Sequence, residues 1–466
     1  MNRFSNRLRF AFLTFPCRSF AATLLIGSAL LTAGCGSQSP SVIIPPSTNP
    51  SITSLTQPSG TIDTVVTITG TNFGAIEGSS TVQFNGTAAP VKSWSDSNIV
   101  VTVPGGATSG NVVVTVAGFT SPGLIFTVQP LPGLPTHLQV VTAIKDVNDF
   151  WIANNPVGNT DWASATYYTG DVAAYDATGE ASYLSYAQSW ASANSYSLFG
   201  GNTTTNADAQ AAGQVYIRLD QLNPAASDLA GITQSLNGMV ASGLDNEWSW
   251  IDALNMSMPN FAELGSMNNN TNYYDKMYAL YHYTKDTLGL YDTATDLWWR
   301  DSTYAHSSVR WSRGNGWVFA AHAKVLAVLP KSDPHYAEYL TTYLAMAHKL
   351  ALIQVQPGVE PNGYWNSDLT GTDYAGPETS GTAFFLYGFA WGINNGALDL
   401  SYLPVVQNAW NFLAYTAIQP PSPTCCLLGY VQPHDVAPDP STASDTADFG
   451  VGAFLLAARQ MELMTK

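Results

Sequence analysis

The sequence predicts a multidomain chain in which a small all-β sandwich precedes an all-α domain of the (α/α)6 barrel class. Three observations carry this. Short β-branched runs alternate with turn residues over 51–128. Apolar residues recur at spacings of three and four through most of 136–466, in about twelve segments. A Pro-rich hinge, QPLPGLP at 129–135, divides the two patterns. At 466 residues the chain is too long for one small domain.

Residues 1–34 read as an export leader: arginines first, then an apolar run from Phe20 to Leu31, then small residues. That run is short for a membrane span. It ends in Leu31-Thr32-Ala33-Gly34-Cys35, which resembles the bacterial lipobox, and the resemblance implies a lipid on Cys35. Thr32 departs from the usual Leu or Val at its place. Residues 35–50 continue as a Ser/Pro tether with no means of building a core. The expected location is therefore outside the cytoplasm, on a bacterial membrane. Cys425 and Cys426 are adjacent, a spacing that rarely bridges without strain. No disulfide framework and no zinc spacing are expected.

The β segment reads TVVTITG, STVQFNG, IVVTVP, GNVVVTVAG and LIFTV between turns. With TITGTNFG and VPGGATSGNVVVTV it resembles an IPT/TIG module, which implies an immunoglobulin-like fold at 51–128. Trp94 is the one aromatic that stands out as a candidate sugar platform, and a spacer role is the plainer expectation.

In the helical domain, 136–466, candidate helices fall at 137–153, 162–177, 180–196, 206–222, 225–241, 247–265, 271–288, 316–329, 334–355, 379–394, 403–417 and 446–464. Twelve helices suit two concentric rings around a central cleft. Pro259 removes a backbone donor and is expected to kink or end its helix.

Charge narrows the function. The formal net charge is −16, and 4 of the 17 basic residues lie in the leader while none of the 33 acidic ones precedes Cys35. Such a surface repels nucleic acid phosphates, so no nucleic acid partner is expected.

The stretch EWSWIDALNMSMPNF, 247–261, sets Asp252 among Trp248, Trp250, Met256 and Met258. An acid in such surroundings loses hydration and its pKa rises, as a general acid near neutrality requires. The competing reading is a carboxylate that caps or pairs locally. Met256, four residues on, shares its helix face. WSRGNGW at 311–317 places Arg313, a planar fork for a carboxylate, between Trp311 and Trp317, rings that can stack on sugars. Gly314-Asn315-Gly316 would then lead into a helix whose N-terminus favours an anion.

These stretches, with NADAQAAGQ (206–214), DLWWRD (296–301), ETSGTAFFLYGFAWGINNG (378–396) and DFGVGAFLLA (448–457), resemble the unsaturated glycuronyl hydrolases of glycoside hydrolase families 105 and 88, most of all 105. The resemblance implies the same barrel and assigns Asp252 as catalytic acid. Asp208 is the second candidate acid, although relatives often carry two adjacent Asp where this chain has Asp208-Ala209. Arg313, Trp311, Trp317, Met256, Trp250 and Tyr168 are the implied substrate contacts. Relatives often have His where this chain has Arg300, which becomes either an anion contact or a partner of Asp301. The implied reaction hydrates the C4=C5 double bond of a terminal unsaturated uronic acid, and it needs no metal or cofactor. Two alternatives stay open: a conventional glycosidase using Asp208 and Asp252 as a carboxylate pair, and a non-catalytic glycan-binding lipoprotein.

Overall fold

A computed structural model describes residues 49–466, apart from 226, 359–360, 372, 420–425 and 434–435. Cys35 lies outside the described residues.

The β module is a two-layer sandwich. One sheet carries Ser51–Leu55, Val65–Thr71, Asn98–Thr102 and Val91–Trp94, in that spatial order. The other orders Ser59–Gly60, Leu124–Val128, Gly110–Val116, Thr81–Phe84 and Thr87–Ala88, with Phe119–Thr120 paired to Gly110–Val116. Strand alternation sets the register: Val66 opposes Val101 and Ile68 opposes Ile99, so all four point to one face. They meet Val112, Val114 and Phe126 of the second sheet in one core. The Trp94 indole donates to the Phe73 and Gly74 carbonyls and its ring packs edge-on against Phe73, which makes it a structural residue rather than a platform.

The helical domain begins with α1 (His137–Asn154), α2 (Trp162–Thr178) and α3 (Ala181–Ala193). Then come α4 (Ala207–Gln210), α5 (Ala212–Leu222), α6 (Ala230–Ser242), α7 (Asp252–Asn268) and α8 (Asn272–His282). It closes with α9 (Ser312–Val328), α10 (Tyr336–Ile353), α11 (Thr379–Asn394), α12 (Leu403–Phe412) and α13 (Asp448–Thr465). Among the described residues α2, α4 with α5, α7, α9, α11 and α13 pack side by side and close into an inner ring. The alternate helices α1, α3, α6, α8, α10 and α12 lie outside. This is the (α/α)6 arrangement that the twelve periodic segments predict. Because each inner helix is followed by an outer one running back, all inner N-termini share one end of the barrel.

The ring closes between α2 and α13 through glycine. A Cβ on Gly170 would sit 2.5 Å from the Gly452 carbonyl oxygen, and one on Gly452 would sit 2.2 Å from that of Thr166. The DFGVGAF motif therefore reads as a close helix contact. The β module docks at the other end, where a Cβ on Gly105 would lie 2.1 Å from the carbonyl of Asn394, the last residue of α11. Ile62 and Leu131 join the barrel core, and Gln407 Nε2 donates to the Pro132 carbonyl at 2.6 Å.

Four expectations are corrected. Helix α7 starts at Asp252 rather than 247, because 244–249 form no regular element and Trp250 forms a bridge to Asp301. Helix α9 starts at Ser312, so the glycines of WSRGNGW lie inside its first turns. Pro259 does not end α7. The Asn255 carbonyl that it leaves without a partner accepts Gln214 Nε2 of α5 at 2.8 Å, so a neighbouring helix replaces the lost donor. Cys426 is also disulfide-bonded, against the expectation of no disulfide; the other cysteines lie outside the described residues. Among the described residues no helix is long and apolar enough to cross a membrane.

Candidate active site

A cleft opens at the N-terminal end of the inner ring, lined by Trp162, Asp208, Trp250, Asp252, Met256, Arg300, Trp311 and Trp317. These come from α2, α4, α7, α9 and the segments before α7 and α9. Trp162, Asp252 and Trp311 stand at or beside helix starts, so the parallel N-termini converge on one volume.

Asp252 is the first residue of α7 and only 6% exposed. Its Oδ2 accepts from Arg300 Nε at 3.3 Å, and its Oδ1 has no hydrogen-bond partner among the described residues. Burial is the main cause that pushes its pKa up to about 7. The Arg300 charge pulls it down, Asp208 raises it, and Arg313 and the Arg300 hydrogen bond lower it again. The result is a carboxyl that holds its proton near neutrality and faces a cavity.

Asp208 lies in the first turn of α4, where Asn206 supplies the cap by accepting from the Ala209 N–H at 3.2 Å. The cap of α4 is therefore Asn206 and not Asp208. Met256 lines the cleft one turn after Asp252, as its spacing predicts. Trp311 is pinned by its indole N–H to Gln432 Oε1 at 2.8 Å. Trp317 packs on Phe384 at 4.2 Å and edge-on against Trp162 at 6.2 Å.

Two expected contacts sit elsewhere. Arg313 is 0% exposed and does not line the cleft. It is stacked between the Trp311 ring (4.6 Å) and the Phe449 ring (4.4 Å), and its Nη1 donates to the Gln432 carbonyl at 2.8 Å. The start of α9 at Ser312 turns it inward behind Trp311. Tyr168 is buried on Trp190 at 4.4 Å, away from the cleft lining.

Arg300 takes the cleft position instead. Asn315 holds the strand before it, accepting from Trp298 N–H at 2.8 Å and donating to Trp298 O at 3.0 Å. The Arg300 carbonyl accepts from Ile251 N–H at 3.0 Å, next to Asp252. Its side chain bridges Asp252 and Asp301, the latter at 2.6 Å from Nη1. Trp162 is the lining residue with no sequence signal. It lies 90 residues before Asp252 and enters through the closure of the barrel.

A larger chamber lies further along the axis, lined by all six inner positions of the ring. Most of its polar groups are matched, Arg218 with Asp176, Gln221 with Glu263 and Lys324 with Gln214, while the buried Asn260 Oδ1 has no hydrogen-bond partner among the described residues. Among the described residues one cluster has metal-ligand spacing, His282, Asp286 and Glu338. Glu338 already accepts from Lys285 at 2.5 Å, Tyr278 at 2.7 Å and His282 at 3.0 Å, which accounts for it as an ion-pair network.

Comparison with known proteins gives the family. The profile described as Glycosyl Hydrolase Family 88 matches residues 139–465, and IPT/TIG domain matches 50–128. The chain belongs to glycosyl hydrolase family 88 and carries an IPT/TIG module before its hydrolase domain. Among solved structures it is similar to a family 88 glycosyl hydrolase from Bacteroides vulgatus, with 32% identity, a TM-score of 0.65, and coverage of 71% of this chain and 100% of that one. It is also similar to a structure named a polysaccharide lyase, with 34% identity, a TM-score of 0.65, and coverage of 70% and 97%. A relative in Formosa agariphila, an unsaturated 3S-rhamnoglycuronyl hydrolase, is 28% identical over 65% of this chain and 84% of its own length.

Proposed function

We propose that this protein removes a terminal C4=C5 unsaturated uronic acid from lyase-generated oligosaccharides by hydrating the double bond. The observation that carries this is the buried carboxyl of Asp252, protonated near neutrality and turned into an aromatic cleft beside an arginine. A relative named an unsaturated 3S-rhamnoglycuronyl hydrolase supports the substrate class, and pectin- or rhamnogalacturonan-type fragments are the source favoured in this reading.

In this reading Asp252 gives its proton to C4. A water adds at C5 and yields its proton to the Asp252 carboxylate, which restores the acid. Asp208 guides that water and stabilises the charge that develops near C5 and the ring oxygen. The C5 hydroxyl makes a hemiketal. When it opens, the ring oxygen leaves C5, the C1 hemiacetal collapses, and the aglycone departs as an alcohol. Trp311, Trp317, Trp162 and Trp250 wall the sugar. Arg313 acts from behind Trp311 through its charge.

The test is spectroscopic. The unsaturated uronate absorbs in the ultraviolet and its hydrated product does not. The protein should bleach that absorbance, and in heavy water the product should carry deuterium at C4. Cleavage of saturated sugars without deuterium would instead support a two-carboxylate glycosidase. Binding without any turnover would support a glycan-binding lipoprotein.

The 34% identity to a named polysaccharide lyase favours a second reading, β-elimination. There a carboxylate takes the C5 proton, the C4–O bond breaks, and the leaving oxygen takes a proton from the second acid. This creates the double bond, so absorbance would rise on saturated uronate oligosaccharides. The two readings give signals of opposite sign in one cuvette.

The anchor belongs to the same proposal. The LTAGC end of the leader and the tether after it support a lipid on Cys35. Cys35→Ser should move the protein from the membrane fraction to the soluble exported fraction. A wild type already soluble would sink the anchor.

A further inference from the structure

We infer that Arg300, and not Arg313, is the specificity-determining cation that selects an acidic sugar in this cleft. The inference rests on the reading of the Asp252 cleft as a uronate site and adds the residue that recognises the carboxylate.

A uronate brings one negative charge into a volume already faced by Asp208 and Asp252. Without a cation there, three carboxylates would repel one another in a poorly hydrated space. Among the described lining residues Arg300 is the one cation. Its side chain is 21% exposed, so part of it remains accessible while it lines the cleft. Nε is committed to Asp252 and Nη1 to Asp301. The Nη2 donors have no hydrogen-bond partner among the described residues, and a guanidinium edge is the group that meets a carboxylate in plane. The backbone on both sides is fixed, by Asn315 on Trp298 and by the Arg300 carbonyl on Ile251. The fork is therefore set before substrate arrives. Arg313 lies behind the Trp311 ring with no exposed surface, so a sugar acid cannot reach it without displacing that ring.

The placement also links recognition to chemistry. Arg300 touches Asp252, so the cation that receives the carboxylate is the one that tunes the acid. A neutral sugar leaves Arg300 entirely to Asp252 and Asp301. An acidic sugar shares it, which weakens its hold on the Asp252 carboxylate and favours the protonated form that donates.

The test compares an unsaturated uronate disaccharide with its neutral C6 methyl ester, using wild type, Arg300→Met, Arg300→Lys and Arg313→Met. The wild type should favour the acid, and Arg300→Met should lower that preference about ten- to a hundredfold, as loss of a charge-assisted contact does. Arg300→Lys should fall between, since it keeps the charge without the planar fork. Arg313→Met should lower both substrates together. A parallel calorimetric titration measures binding of a saturated uronate disaccharide against its methyl ester, which needs no turnover. An acid-to-ester ratio unchanged in Arg300→Met, or one that collapses in Arg313→Met instead, would overturn the assignment. If the wild type turns over neither unsaturated substrate but binds the saturated acid through Arg300, the hydration reading fails and the Arg300 assignment stands.

Discussion

Asp252 and Asp171 are both buried carboxyls whose pKa values burial drives far above the ordinary range, yet they stand in regions built for different ends. Asp252 reaches about 7 and opens on the cleft. Asp171 reaches about 8 in the seam between α1 and α2, fully enclosed. Its Oδ1 accepts from Asn148 Nδ2 at 2.8 Å, and Asn148 Oδ1 accepts from the Tyr167 hydroxyl at 2.9 Å. Each acid leaves one buried oxygen without a partner among the described residues. Burial is thus the main cause of a proton-holding carboxyl twice in this barrel. What separates the two is the neighbour: a cavity and an arginine in one case, an amide and packed tyrosines in the other.

The largest expected effect tests that separation directly. Asp252→Asn keeps the shape and loses the proton, so turnover should fall about 10²–10⁴-fold, the usual range for a positioned general acid. Asp171→Asn should leave turnover within about twofold. Steady-state rates on one unsaturated substrate decide it. Equal losses in the two variants would mean that the α1–α2 seam matters for the chemistry. An unimpaired Asp252→Asn would move the acid to Asp208.

The next effect is on pH. The donor form of Asp252 is the protonated one, so kcat/KM should fall as pH rises through about 7, approaching tenfold per unit on the alkaline side. Arg300 holds that pKa down, so Arg300→Met should carry the falling limb to higher pH. Asp171→Asn should leave the limb where it is. A flat profile between pH 6 and 9 would remove Asp252 as the titrating donor.

The same contrast explains what the sequence makes legible. Helical periodicity finds nearly every barrel helix within a few residues, because the inner and outer faces differ in polarity along each one. Asp252 is legible because its apolar neighbours are adjacent in sequence, and Met256 because four residues make one turn. Asp171, in TGDVAAY, sits among small residues that give no sign of its burial; only the packing of α1 against α2 does. Trp162 is hidden for the same reason, since barrel closure brings it to the cleft. Arg313 misleads because flanking tryptophans look alike whether they face a sugar or a core. Its direction depends on where α9 begins, and helix boundaries are the least certain part of a sequence reading. Arg300 carries the opposite lesson. It pairs with Asp301, one of the two roles weighed for it, and its side chain also lines the cleft beside Asp252.

The smallest effect is on stability and concerns the enclosed acid. The unfolded chain releases the Asp171 proton near pH 4, while the folded chain holds it to about pH 8. Between those values the folded state binds more protons than the unfolded one, so stability falls as pH rises and levels off above about 8. The contribution is fully present below pH 4 and lost through pH 8. Asp171→Asn removes the titration and keeps a neutral group of the same shape beside Asn148. The variant and wild type should therefore melt alike near pH 4.5, and the variant should gain roughly 1–3 kcal/mol, or a few degrees in Tm, by pH 8.5. Asp252→Asn should gain less over its window of about pH 4 to 7, because the same change takes a partner from Arg300. Melting curves across that range decide the matter. Parallel curves for wild type and Asp171→Asn would show that the seam carboxyl is already charged in the folded protein, and that its burial is relieved in a way the enclosed geometry does not provide.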